Sequence, residues 1–114
     1  MVTFDQFTAM GLALPQAYEE LTWETEVTLR VNKKIFAMGT PESGNVSVKA
    51  SKEDQAELLA AAPEVYSPAP YVGRHGWVRV VLDKADAEEL RDLITDAWRS
   101  VAPKKLVREF DAEG

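Results

Sequence analysis

Apolar residues open the chain at helical spacing: Phe4, Phe7, Met10 and Leu14 recur every three or four positions. Thr3 and Gln6 have the form of a capping box, which predicts that a helix starts there. Pro15 ends this helix or starts a short turn, and residues 17–24 (AYEELTWE) follow no single period. From Glu26 the period becomes two. Val27, Leu29 and Val31 alternate with Thr28 and Arg30, the pattern of a half-buried strand. Asn32-Lys33-Lys34 is a turn and IFAM the return strand. Pro41 to Asn45 forms a second turn, and Val46 and Val48 alternate with Ser47 and Lys49 in a third strand. Strands joined by such short turns form an antiparallel meander.

Ser51 with Asp54 starts a second helix that runs to Pro63. Residues 63–76 hold three prolines and two glycines and read as a loop or an irregular edge. Residues 77–82 make a last strand. Asp86 with Glu89 opens the best-signalled helix, in which Leu90, Leu93, Ile94, Ala97, Trp98 and Val101 line one face. Trp98 on that stripe reads as core, whereas Trp23 has no stripe to place it. Pro103 closes the helix, and KKLVREF adds a final turn. The order helix, strands, helix, strand, helix predicts an α+β sandwich: an antiparallel β-sheet with helices packed on one face. There is no internal repeat or linker, so residues 1–114 read as a single domain.

Composition narrows the role. Hydrophobic residues make up 46%, which argues against disorder, and there is no cysteine. The N-terminus lacks a signal core, and no apolar run reaches membrane-spanning length. These features predict a cytoplasmic protein, read as a monomer without a membrane partner. The net charge is −6. Residues 27–82 nevertheless carry seven basic and five acidic side chains, or +2, against −8 for the flanks. If helices cover one sheet face, Val27, Leu29, Val31, Val46, Val48, Val78, Val80 and Leu82 point to them. The open face then carries Thr28, Arg30, Ser47, Lys49, Trp77 and Arg79. Arg74 and His75 lie at its rim and Lys33-Lys34 at a hairpin tip.

VNKKIFAM, PYVGRHGWVRVVLD and DAEELRDLITDAWRSVAPKKL together resemble the MmcQ/YjbR family, in an order of elements that agrees along nearly the whole chain. The resemblance implies a CyaY-like (frataxin-like) fold with a double-wing motif, and DNA as the partner. It covers the Asn32–Lys34 turn, Phe36, Arg74, Trp77 and the helix ending at Pro103-Lys104-Lys105. Some members place a histidine directly before this tryptophan. Here Gly76 holds that position and His75 stands one earlier. Ala97-Trp98 stands where members often have serine-tyrosine, which suits packing.

Catalytic chemistry is poorly supplied. The one histidine, His75, has no GxSxG serine beside it in sequence, and there is no phosphate loop and no GxGxxG. The expectation is no enzyme, no cofactor and no catalytic residue. The likeness to frataxin raises iron, and Glu88, Asp92 and Asp96 share a helix face, as do Glu53 and Glu57. Arg91 and Arg99 stand at ion-pair spacing, so these read as solvated faces and no metal site is assigned. The reading is a DNA-binding protein that contacts phosphates through Arg30, Lys33, Lys34, Lys49, Arg74, Trp77 and Arg79. The alternative is a protein-interaction module on the same face with Trp77 as anchor.

Overall fold

The computed structural model describes residues 1–22 and 25–113. The elements are α1 (Phe4–Leu12), β1 (Tyr18–Thr22), β2 (Glu26–Val31), β3 (Lys34–Gly39), β4 (Asn45–Val48), α2 (Lys52–Ala61), β5 (Tyr66–Pro68), β6 (Val78–Val81), α3 (Ala87–Val101) and α4 (Lys104–Glu113). The strands form one six-stranded antiparallel sheet in the order β1-β2-β3-β4-β6-β5. The α+β class expected from the periodicities is therefore the class observed.

Local chemistry sets the helix starts. Thr3 and Gln6 close the expected capping box on α1. The side chain of Ser51 accepts from the Asp54 amide at α2, and that of Asp86 from the Glu89 amide at α3. In α3, Leu90, Ile94, Ala97 and Trp98 are buried, and they join Phe7 of α1 and the inward strand residues Leu29, Val31, Val46, Val48, Val78 and Val80 in one core. Trp98 is fully buried; its indole N–H donates to the Pro15 carbonyl at 3.0 Å, and its ring centroid lies 5.0 Å from that of Phe110.

The structure adds three elements to the expected order. The unassigned stretch 17–24 contains the edge strand β1, with Trp23 and Glu24 outside the described residues. The prolyl loop contains the short edge strand β5. The final turn is a ten-residue helix, α4, which lays Leu106, Val107 and Phe110 against the core. The β2–β3 turn is tighter than expected. Asn32 and Lys33 alone form it, both with positive φ (52° and 65°), and Lys34 already pairs with Val31. This is the backbone handedness that a two-residue hairpin demands. Register shifts between Leu29 and Arg30, which pair with Ala37 and Ile35. Phe36 is the extra residue of this bulge, so Phe36 and Ala37 are both buried although they are adjacent.

Tyr66 on β5 is buried, and its hydroxyl donates to Glu89 of α3 at 2.5 Å. Burial, and then the bond to that carboxylate, push the phenol well above its ordinary pKa. The folded state thus keeps the phenol protonated after the unfolded chain has begun to ionise. The stability from this residue is complete below about pH 10 and is lost as pH rises beyond it. Tyr66→Phe should cost about 1 kcal/mol at neutral pH through the lost hydrogen bond. Its urea midpoint should then fall less steeply than that of the parent between about pH 9 and pH 11. Parallel curves in that window would show that the phenol does not titrate with unfolding.

Candidate nucleic-acid interface

The antiparallel register decides which cations meet. β2 and β4 finish at the end of the sheet where β3 and β6 begin. The hairpin residues Lys33 and Lys34 lie at that end. Lys49, one residue beyond β4, lies there too, its amide donating to the Phe36 carbonyl at 3.0 Å. The 3-10 turn Gly73–His75, which leads into β6, brings Arg74 to the same end. Lys33, Lys34 and Arg74 are exposed and Lys49 is half-buried. Lys52, in the first turn of α2, adjoins them. The opposite end of the sheet carries Glu26, Glu42, Glu64 and Asp83, with Lys84 as its cation. The local basic excess is thus gathered at one end of the sheet, where Asp54 and Asp96 also stand beside Lys49.

Backbone packing fixes the Arg74 loop. Gly76 caps the 3-10 turn with φ 105°, and a Cβ there would stand 2.4 Å from the Ala50 carbonyl oxygen. Gln55 of α2 donates through its amide to the Gly73 and Trp77 carbonyls at 2.7 and 2.8 Å. The residue between His75 and Trp77 must therefore be small and left-handed, because the loop is seated directly on the start of α2. Arg74 Nε donates to His75 Nε2 at 3.4 Å. His75 and Lys49 line a cleft of about 310 Å³ between this loop and α3, together with Asp54 and Asp96.

The open face differs from the expected surface. A cross-strand row of Glu20, Thr28, Met38, Ser47, Arg79 and Ser67 runs along it. Arg30 is engaged there: its guanidinium donates to Thr28 Oγ1 at 3.0 Å and Thr22 Oγ1 at 3.3 Å and lies 3.6 Å from the Glu20 carboxylate. Thr28 is buried beneath, its hydroxyl donating to the Glu20 carbonyl. Arg79 is exposed and shares a groove of about 250 Å³ with Glu26, Thr40 and Ser47. Trp77 was expected as an exposed stacking or anchoring residue. It is buried at 9% exposure, so neither a base nor a partner protein has its ring as a free platform. Lys49 was expected on the open face; it lies past the strand and lines the cleft beside α3. The six candidate cations thus divide into a sheet-end group, Lys33, Lys34, Lys49 and Arg74, and two open-face arginines, Arg30 and Arg79, of which Arg30 is already paired.

On the acidic face of α3, Asp96 has a cationic partner. Arg99 pairs with Asp96 at 3.0 Å and with Asp111 of α4 at 2.8 Å, and its guanidinium lies 5.5 Å from the Phe110 ring centroid. Among the described residues no cluster of three or more His, Asp or Glu is arranged to hold a metal ion, and no helix is long and apolar enough to cross a membrane.

Fold and surface together define an α+β protein with a six-stranded antiparallel sheet, four α-helices among the described residues and a cationic sheet end. The chain belongs to the YjbR family, whose sequence model matches residues 12–100. It is 31% identical to the uncharacterized protein Rv2570 of Mycobacterium tuberculosis and to the uncharacterized protein Mb2600 of Mycobacterium bovis, over 96% of this chain and 96% of each relative. The crystal structure of Deinococcus radiodurans protein DR2400, described by the family domain DUF419, superposes with a TM-score of 0.81 at 24% identity. That match covers 89% of this chain and 79% of the other, and it establishes a shared fold.

Proposed function

We propose that this protein binds DNA through the phosphate backbone, using the cationic end of its sheet, and performs no chemistry on it. The observation that carries this reading is the register that gathers Lys33, Lys34, Lys49 and Arg74 at one end of the sheet, with Glu26, Glu42, Glu64 and Asp83 at the other. A chain of net charge −6 would be repelled by a polyanion if its charges were mixed. Four cations gathered at one sheet end give phosphates a place to approach. Lys33 projects from the two-residue turn, Lys34 from the first position of β3 and Arg74 from a loop tied down by Gln55, so their backbone is ordered before binding. His75, the only histidine, accepts from a guanidinium rather than contacting a carboxylate, which supports a binding role over general-base chemistry.

The double variant Lys33→Glu, Lys34→Glu tests this assignment. It reverses two exposed charges on a turn whose backbone it leaves alone. Affinity for a labelled duplex at low salt should fall roughly tenfold or more, equally for unrelated sequences, because phosphate contacts carry no sequence information. Unchanged anisotropy titrations would remove the hairpin from the interface.

A further inference from the structure

Tyr71 is 96% exposed, more than any other large hydrophobic residue described. It also holds a left-handed backbone, φ 64°. A bulky side chain rarely adopts that conformation and gains nothing from it in open water. The conformation is imposed by its turn. The Gly73 amide donates to the Ala69 carbonyl at 2.9 Å, and the His75 amide to the Val72 carbonyl at 3.0 Å. The ring is thus held outward by a closed backbone turn, at cost. Backbone strain of this kind persists where surrounding structure over-determines it, and it clusters at functional sites. The surroundings indicate which function. Arg74 lies three residues along on the sheet-end surface, and Pro70, directly before Tyr71, lines the groove that holds Arg79. An exposed aromatic ring on the loop that carries Arg74 matches a nucleotide, with its flat apolar base and its anionic phosphate.

We infer that Tyr71 is a stacking platform for an unpaired base, so that the preferred ligand is single-stranded DNA. The inference rests on the phosphate-binding reading above and adds the form of DNA to it. In a duplex the base faces are already stacked and closed to a tyrosine on the protein surface. Tyr71 therefore adds to binding only where bases are free.

The test compares the full chain with Tyr71→Ala, Tyr71→Trp and Tyr71→Gly by anisotropy, on a labelled single strand and on a duplex closed by hairpin ends. Tyr71→Ala should weaken single-strand binding about tenfold or more and leave duplex binding unchanged, with Tyr71→Trp retaining both. Tyr71→Gly removes the ring together with the positive-φ strain. It should melt at or above the parent temperature and bind the single strand as weakly as Tyr71→Ala. An equal loss on both probes, no loss on either, or a lower melting temperature for Tyr71→Gly would overturn the stacking role. The lysine reversal separates the two ideas. If it spares both probes while Tyr71→Ala still weakens the single strand, the phosphate surface fails and stacking stands. If the parent binds neither probe at low salt, both fail.

Discussion

Gly76→Ala should destabilise the protein by about 3 kcal/mol or more, among the largest single-residue effects in the chain. Two costs combine. The residue has φ 105°, where a side chain is strained, and its Cβ would meet the Ala50 carbonyl oxygen at 2.4 Å, the Ser51 carbonyl carbon at 2.8 Å and the Lys52 nitrogen at 2.9 Å. All three are backbone atoms at the β4–α2 junction, so no side chain can swing aside. The junction and the 73–77 loop must part, and the two Gln55 hydrogen bonds that join them weaken as they do. In thermal melts this is a drop of roughly 10 °C or more for a domain of this size. A variant that melts within about 2 °C of the parent would show that the loop is not seated as described. The change also has a functional reading. Arg74 rides on this loop, so a Gly76→Ala protein that still folds at low temperature should bind DNA more weakly than the parent. Gly76 is thus the seat of the loop that carries Arg74.

Trp98→Ala should cost about 3–5 kcal/mol. The indole is fully buried at the centre of the α3 stripe, against Phe110 of α4. Truncation opens a large cavity and leaves the Pro15 carbonyl without its donor. Domains of this kind have roughly 5–15 kcal/mol in all, so the variant should be close to unfolding at body temperature. Trp98→Phe keeps most of the volume and loses the hydrogen bond, and it should lie well between the two in urea. If Trp98→Ala and Trp98→Phe were equally stable, the indole would not be filling the core. The docking of α4 depends on the same contact, together with the Arg99–Asp111 pair, which is exposed and contributes little.

Much of this architecture was legible in the sequence, and the failures have physical causes. Three helix starts carried side-chain caps, and β2, β4 and α3 carried clean periods, because each buries one face on a common core. β1 was not legible. An edge strand of sequence YEELT, exposed at four of its five positions, has no buried face to impose alternation. β5 is three residues long and ends in proline. α4 begins without a Ser, Thr, Asp or Asn cap, directly after Pro103. These omissions explain the errors at the surface. Glu20, which engages Arg30, lies on the unread β1. Alternation places Trp77 opposite the inward Val78, on the open face, but says nothing of whether a loop shields it there. Its carbonyl bonds to Ala69 and Gln55, from two segments that sequence periodicity does not connect to it. The cations themselves were legible. Their meeting at one sheet end was not, because it follows from strand direction and order rather than from composition. Tyr71 left one trace in the sequence, an aromatic between Pro70 and Gly73 in a turn.

The central claim is that the sheet end is a phosphate surface, and the salt dependence of DNA binding by the unmodified protein tests it most directly. Four cations at that end predict that the logarithm of the association constant falls linearly with the logarithm of salt concentration, with a slope of about −3 to −4 on duplex DNA. A slope near zero, or no binding at low salt, would contradict the account.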